Sequence, residues 1–236
     1  MIDCTFNWPD IRRVAGPYIR PGGYVLTERA LKICSLPVSS RIADIGCGAG
    51  GTLEYLEKAG YYRSVGLDCS EALIGEAVCR IASERVVLGN AENLPFKKDF
   101  LDTLFCECVL SILGDRMAAL HEFSRVLKKG GFLIISDVFG HNSAWQAQLE
   151  GESQELQAKG LFSKEDIINF LTSLGFSIIL WEEHERFLKE FVARMILAGE
   201  CLTNLWACRQ EKERKNTDRA GISYFLLVAK KNKSCH

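Results

Sequence analysis

An apolar stretch that runs directly into a glycine-rich turn is the feature that most constrains this fold. Residues 41–51 read Arg-Ile-Ala-Asp-Ile-Gly-Cys-Gly-Ala-Gly-Gly, with Asp44 two residues before the first glycine. Glycines let the backbone turn sharply and pass close under a ligand. The helix that follows such a turn presents free N–H groups at its N-terminus. The stretch therefore predicts a strand, a cofactor-binding turn and a helix.

The glycines alone leave the cofactor open. Gly46, Gly48 and Gly51 fit the G-x-G-x-x-G fingerprint of dinucleotide-binding proteins. A second apolar stretch, residues 64–68, ends in Asp68, at the distance of about 20 residues where an acid hydrogen-bonds a ribose diol. At this point a nicotinamide dinucleotide and another ribose-containing cofactor are both allowed.

Four segments in a defined order carry a family resemblance. They are Asp-Ile-Gly-Cys-Gly-Ala-Gly at 44–50, Gly-Leu-Asp-Cys-Ser at 66–70, Asn-Ala-Glu-Asn-Leu-Pro-Phe at 90–96 and Arg-Val-Leu-Lys-Lys-Gly-Gly at 125–131. Together they resemble the class I S-adenosylmethionine (SAM) dependent methyltransferases, and in particular the small-molecule enzymes that include quinone-biosynthesis methyltransferases. The resemblance covers roughly residues 38–140. It implies SAM as the cofactor and methyl transfer as the reaction.

Apolar stretches alternating with helical patterns predict the fold. The expected architecture is α/β, a Rossmann-like seven-stranded mostly parallel sheet with helices on both faces, and the resemblance makes the last strand antiparallel. Strands are predicted near residues 41–46, 63–68, 85–89, 101–107, 131–138, 176–182 and 222–229. The predicted helices are Thr27 to Leu36, Gly51 to Ala59, Glu71 to Ala82 and Arg116 to Leu127.

The length of 236 residues predicts one methyltransferase domain. Residues 1–37 would form an N-terminal helical cap segment, residues 38–140 the SAM-binding core, and residues 141–236 a C-terminal half with substrate-side helices. Helical spacing of apolar residues over about 185–215 indicates either packing on the domain or a lid or homodimer surface.

Charge and composition limit the partners. With 29 basic and 30 acidic residues the net charge is −1, which leaves no surplus to neutralise a nucleic acid. No apolar run approaches the ~18 residues of a spanning helix, so no membrane partner is expected. The N-terminus lacks a secretory pattern, which predicts a cytoplasmic protein whose ten cysteines are reduced. Their spacing matches no metal site. A small-molecule methyl acceptor is favoured.

The resemblance assigns site residues at the strand ends. The turn, Gly46, Cys47 and Gly48, would hold the methionine and ribose portion, with the Gly46 carbonyl accepting from the amino group. Asp44 would act from beneath this turn or order it. Asp68 would bind both ribose hydroxyls.

Three further assignments concern the adenine ring and the SAM carboxylate. Cys69 would lie against adenine, while Asn90, where relatives usually carry Asp, would accept from the adenine amino group. Ala91 would donate its N–H to the ring. Arg20, or the N–H groups of Gly22 and Gly23, would donate to the SAM carboxylate, with a plain turn as the alternative.

Residues after the fourth and fifth strands would border the transferred methyl group. Glu107 and Cys108 are neighbours on an extended segment, so only one is expected to face the cleft. Glu107 and His141 are the candidates for a catalytic role, His141 as a general base, and Glu107 is also a candidate cofactor-binding residue. Asp137 and His141 occupy the analogous place after the fifth strand. Direct displacement gains most from alignment of the two reactants, so no catalytic side chain is obligatory.

Two alternatives remain for the function. One is an enzyme like the arsenite methyltransferases, which bind arsenic through cysteines around the same pocket. The other is a non-catalytic SAM-binding accessory protein. Cys79, Cys106 and Cys108 lie on predicted core elements, and this placement favours a structural role for them.

Overall fold

The structure, a computed structural model, describes Gly16 and residues 18–140, 162–198 and 222–232. Its helices are α1 (Val25–Cys34), α2 (Gly51–Lys58), α3 (Glu71–Ala77), α4 (Arg116–Val126), α5 (Lys164–Ser173) and α6 (Glu185–Leu197). Its strands are β1 (Ile42–Ile45), β2 (Ser64–Asp68), β3 (Val86–Leu88), β4 (Leu101–Glu107), β5 (Leu127–Gly140), β6 (Phe176–Glu183) and β7 (Ile222–Lys231).

The seven strands form one sheet in the order β3-β2-β1-β4-β5-β7-β6. The pairs from β3 to β5 are parallel, whereas β7 runs antiparallel to both β5 and β6. The predicted Rossmann-like fold and its antiparallel last strand are therefore confirmed. The strand order reverses between β1 and β4, and ligands of such sheets bind at the carboxyl ends of the strands beside this point.

Side-chain alternation divides the core between the two faces of the sheet. Ile42 of β1 and Phe105 of β4 pack with α1, while Ala43 and Leu104 pack on the opposite face with α4. Every residue of β1 is buried. A strand covered on both faces needs apolar residues at nearly every position, which explains the continuous apolar stretch before the glycine turn.

Helix boundaries differ from the predicted ones. α3 ends at Ala77 because Cys79 and Arg80 donate to carbonyls three residues back, at 3.2 and 2.9 Å. This tightening brings Ile81 into a small cluster with Cys47. Two other elements shift as well, since α1 runs from Val25 to Cys34 and β5 begins directly after α4, at Leu127.

The predicted helical stretch over 185–215 is described only as far as α6. In that helix Leu188, Phe191 and Met195 are buried. This burial agrees with packing on the domain for the described part. None of the described helices combines the length and apolar character needed to cross a membrane.

Candidate cofactor-binding site

A cleft lies at the carboxyl ends of β1, β2, β3 and β4. It holds about 890 Å³ of empty space, counting its open mouth. Its polar lining includes Asp68, Ser70, Asn90 and Glu107. The apolar lining is Ile19, Leu67, Leu73, Ala91, Val109, Ile112 and Leu113.

The glycine turn forms one wall of this cleft. Gly46 and Gly48 adopt positive φ angles of 74° and 51°. A Cβ atom on Gly46 would lie 2.1 Å from Val109 Cγ2, whereas one on Gly48 would meet nothing within 4 Å. Glycine at position 46 therefore allows Val109 to pack against the turn. Glycine at position 48 leaves open space where a ligand can approach the backbone. The Cys47 side chain is buried with Leu53 and does not line the cleft.

The Asp68 carboxylate joins the turn to the end of β2. Its Oδ2 accepts from the Gly48 N–H at 2.8 Å and its Oδ1 from the Ser70 N–H at 2.9 Å. Burial raises the pKa of Asp68, against the lowering effect of these backbone hydrogen bonds. Ser70, and not Asp68, caps α3, because its side chain accepts from the Leu73 N–H. The two backbone hydrogen bonds thus fix the Asp68 carboxylate at the surface of the cleft.

The loop after β3 contributes Asn90 and Ala91. Asn90 Oδ1 accepts from the Glu92 N–H at 3.0 Å, which holds the loop in a tight turn. The Asn90 side chain also lines the cleft, together with the exposed Cys69. This amide oxygen keeps one lone pair beyond the bond to Glu92.

Glu107, at the end of β4, lies in a dense polar cluster. Its Oε1 accepts from the Thr27 hydroxyl and its Oε2 from the Thr52 hydroxyl, each at 3.0 Å. Arg20 Nη2 lies 3.0 Å from Glu107 Oε2. The side chain is buried but remains part of the cleft wall. Three donors thus hold one carboxylate against the cleft.

Arg20 lies behind the wall and does not line the cleft. Its Nη1 donates to Thr52 and its Nη2 to Thr27, at 2.8 and 2.7 Å, while Nε donates to the Gly23 carbonyl at 2.9 Å. The guanidinium therefore connects the segment before α1 to α2 and, through Glu107, to β4. No local sequence pattern indicates this role of Thr27 and Thr52, whose bonds to Glu107 span 80 and 55 residues.

Asp44 is buried beneath the same wall and does not line the cleft. Burial contributes most to raising the pKa of Asp44, to about 8, and the negative charge of Glu107 contributes next. The positive charge of Arg20 opposes both effects.

Cys108 departs from the expected alternation. Its φ of 58° places it in the left-handed region, just past the end of β4. Both Glu107 and Cys108 consequently line the cleft, so the prediction that only one faces it is wrong. The Cys108 Sγ lies 3.0 Å from the Tyr224 hydroxyl, and burial raises the pKa of this thiol. Tyr224, on β7, was not predicted as a neighbour.

Three other candidate residues do not line this cleft. Asp137 accepts from the Ser111 N–H at 2.9 Å and is buried, with no side-chain surface on the cleft. His141 lies outside the described residues. Cys79 is exposed, so its assignment to the core is wrong, because α3 ends before it. Cys106 is fully buried, as predicted.

The described residues also show whether side chains are grouped to bind a metal ion. Across residues 18–140, 162–198 and 222–232, no group of three or more His, Cys, Asp or Glu side chains is placed to hold a metal ion.

Sequence comparison finds a match to one family model over part of the chain. Residues 43–135 match the model described as a methyltransferase domain. A tRNA (carboxymethyluridine(34)-5-O)-methyltransferase of Arabidopsis thaliana is 34% identical over 122 residues, 50% of this chain and 27% of that protein. A ubiquinone/menaquinone biosynthesis C-methyltransferase of Campylobacter jejuni is 31% identical over 101 residues, 40% of this chain and 43% of that one. The chain thus spans less than half the length of these two relatives.

Longer alignments reach more distant proteins. A sarcosine/dimethylglycine N-methyltransferase of Aphanothece halophytica is 24% identical over 208 residues, 84% of this chain and 74% of that protein. The crystal structure of the [4+2]-cyclase SpnF superposes with a TM-score of 0.74 at 22% identity, covering 96% of this chain and 93% of that one.

A second solved structure contains a product of SAM. Phosphoethanolamine N-methyltransferase 2 of Haemonchus contortus, in complex with phosphomonomethylethanolamine and S-adenosylhomocysteine (SAH), gives a TM-score of 0.68 at 21% identity, covering 95% of this chain and 56% of that one. These likenesses concern the fold. The methyltransferase-domain match covers residues 43–135, and the quinone-biosynthesis enzymes are one of several groups among the relatives.

Proposed function

We propose that this protein binds SAM in the cleft and transfers its methyl group to a small-molecule acceptor. The observation that carries the proposal is the Asp68 carboxylate, held by the Gly48 and Ser70 amides at the mouth of the glycine turn. This arrangement presents an acceptor to a ribose diol beside backbone that a ligand can approach closely.

The lining residues fit the parts of an adenosyl cofactor. Asp68 would accept from both ribose hydroxyls, and apolar Leu67 and Leu73 would flank the adenine ring with Cys69. Asn90 and Ala91 stand at the next strand end, within the same lining, to recognise the ring edge. The open space at Gly48 leaves room for the sugar.

Glu107 suits binding better than proton transfer. Its two oxygens already accept from two threonine hydroxyls and face the Arg20 guanidinium. A carboxylate whose oxygens are fixed by donors at the cleft wall is suited to contact a cation, so we assign it to the SAM amino group together with the Gly46 carbonyl. Arg20, directed at Glu107, would then act indirectly and not as a donor to the SAM carboxylate.

Bound SAM supplies an electrophilic methyl group on a sulfonium sulfur. The acceptor's lone pair forms the new bond to this carbon while the carbon–sulfur pair returns to sulfur. The chain's contribution is to hold the acceptor in line, on the side of the cleft formed by Cys108, Ile112 and Leu113. The apolar character of these residues favours an uncharged or partly apolar acceptor.

The net charge of −1 supports a small molecule over RNA as the acceptor. The relatives methylate both kinds of substrate by name, including tRNA and sarcosine or dimethylglycine. Location in the cytoplasm, one domain over residues 1–236 and homodimer formation are further parts of this proposal, and none of them is needed for the chemistry.

Titration calorimetry tests the cofactor. We expect SAM and SAH to bind at micromolar concentrations and NAD not to bind, and NAD binding without SAM binding would refute the proposal. A second assay follows SAH release with quinols, secondary amines, arsenite plus thiol, and tRNA as acceptors. Turnover with a quinol or amine excludes a non-catalytic accessory role, and turnover with tRNA alone would replace the small-molecule assignment.

A further inference from the structure

A closed ring of hydrogen bonds joins four side chains at the wall of the cleft. Arg20 donates from Nη1 to the Thr52 hydroxyl at 2.8 Å and from Nη2 to the Thr27 hydroxyl at 2.7 Å. Thr27 then donates to Glu107 Oε1 and Thr52 to Glu107 Oε2, both at 3.0 Å. The ring therefore runs from one guanidinium to one carboxylate through two threonines.

The chemistry of these groups gives the ring a single direction. A guanidinium has donors and no acceptor, a carboxylate has acceptors and no donor, and a hydroxyl has one proton. A threonine hydroxyl that accepts from Arg20 thus has its one proton for Glu107. All four side chains belong to buried residues, so water competes little for these bonds. Two hydroxyls thus fix the two carboxylate oxygens in one orientation.

Glu107 is the member of the ring that lines the cleft, whereas Arg20 and both threonines do not. An ionised carboxylate has about four lone-pair sites. The threonine hydroxyls use two of them, and Arg20 Nη2 lies 3.0 Å from Oε2. Acceptor capacity therefore remains for a donor that enters the cleft.

The ring also makes the segment before α1 a part of the cleft. Ile19, next to Arg20, lines the cleft. Arg20 Nε donates to the Gly23 carbonyl at 2.9 Å, which holds the turn that leads into α1. The same guanidinium thus anchors this segment to α2 and fixes an apolar part of the wall beside the carboxylate.

We infer that Thr27 and Thr52 are positioning residues, which hold the Glu107 carboxylate in the orientation that binds the SAM amino group. The inference rests on the proposed function, which assigns that amino group to Glu107. Neither threonine reaches the cleft, so each acts through Glu107. A binding group is most effective when its neighbours fix its rotamer before the ligand arrives.

Valine in place of either threonine removes the hydroxyl and nearly keeps the shape. In Thr27→Val, Glu107 Oε1 loses its donor and Arg20 Nη2 loses its acceptor. The carboxylate is then free to turn toward the guanidinium and away from the ligand. Thr52→Val breaks the other side of the ring in the same way.

The experiment compares two ligands that differ in the amino-acid portion alone. SAH has this portion, and 5′-methylthioadenosine (MTA) has the same adenosine and an uncharged sulfur without it. Calorimetry measures both dissociation constants in the wild-type chain and in each valine variant. We expect SAH to bind about tenfold more weakly in each variant, the effect of one hydrogen bond to a charged group, and MTA to bind as before.

Two further variants separate positioning from stability. Thr27→Ser keeps the hydroxyl and should restore SAH binding. Thr103→Val is the matched control, because Thr103 is buried on β4 and its hydroxyl has no hydrogen-bonding partner among the described residues. It should leave both affinities unchanged. Circular dichroism checks that each variant folds, and the two ring threonines lie on different helices, so either valine variant can decide the case.

Three outcomes would count against these assignments. Equal weakening of SAH and MTA in a folded valine variant would show a general structural role and overturn the inference. Unchanged SAH affinity would overturn it as well. Failure of the wild-type chain to bind SAH or SAM would instead overturn the proposed function.

Discussion

The two halves of the sheet, β1 to β4 and β5 to β7, differ in what restricts the type of residue at each position. At the carboxyl ends of the first half, backbone conformation and close contacts restrict the choice, as at Gly46, where a Cβ would overlap Val109. In the second half, strands are held by apolar packing, as in the stacked Trp181 and Phe225 rings. Packing accepts many side chains of similar volume. Motifs therefore concentrate where a ligand approaches backbone.

The largest expected effect contrasts a glycine in each half. Gly46→Ala combines a left-handed φ of 74° with a 2.1 Å overlap, so it should lower the free energy of unfolding by about 3 kcal/mol. Gly175→Ala, after α5, has a φ of 83° but nothing within 4 Å, and should cost about 1 kcal/mol. Chemical denaturation measures both. Equal losses would show that the overlap relaxes at no cost.

The next contrast concerns two buried aspartates that each accept two backbone N–H groups. Asp68→Ala should weaken SAM binding by at least ~1.5 kcal/mol, more than tenfold, because the ribose loses its acceptor. Asp137 accepts from Ser111 and Val138 and does not line the cleft. Asp137→Ala should therefore lower stability and leave affinity nearly unchanged. Unchanged affinity in Asp68→Ala would reduce that residue to a support of the turn.

Two exposed thiols give a smaller effect without mutation. Cys69 and Cys79 are both exposed. Cys69 lines the cleft, whereas Cys79 does not. SAM at ten times its dissociation constant should slow alkylation of Cys69 by roughly tenfold, in proportion to the fraction of free protein, and leave Cys79 unaffected. Mass spectrometry of the labelled peptides reads out both rates. Protection of Cys79 as well would indicate a global change on binding.

The smallest expected effect is at Asn90. Restoring a carboxylate with Asn90→Asp should tighten SAM binding by up to ~1 kcal/mol, because charge-assisted hydrogen bonds are stronger than neutral ones. The bond from the Glu92 N–H to the side-chain oxygen would persist. Calorimetry measures the change. Weaker binding would show that the Glu92 carboxylate, 3.5 Å from the Asn90 amide nitrogen, repels the new charge.

Strands were predictable because parallel strands buried on both faces need continuous apolar residues. All seven predicted strands exist, including β1, where Ile42 and Ala43 pack on opposite faces. Helix ends were less predictable, since they depend on tertiary contacts. α3 ends at Ala77 so that Ile81 can reach Cys47, a contact that no local pattern encodes.

The site was predictable where a strand end alone positions a residue. Asp68 and Glu107 line the cleft because each is the last residue of a strand whose carboxyl end meets it, and Asn90 lines it two residues after such a strand. Arg20 and Cys108 were not placed correctly by the sequence. The bond from Arg20 to Thr52 depends on how α1 packs, and the left-handed backbone of Cys108 interrupts the alternation of β4.

The position of β7 between β5 and β6 constrains how the molecule assembles. β6 lies at the edge of the described sheet and pairs only with β7, which follows it in the chain. β7 in turn pairs with β5 through residues such as Leu133 and Ala229, almost a hundred residues apart. During synthesis β6 therefore emerges before the strand that receives it. Non-local pairing of this kind slows folding, because a large loop must close first. We therefore expect completion of the sheet to come late in folding, after the cofactor half has formed from contacts closer in sequence.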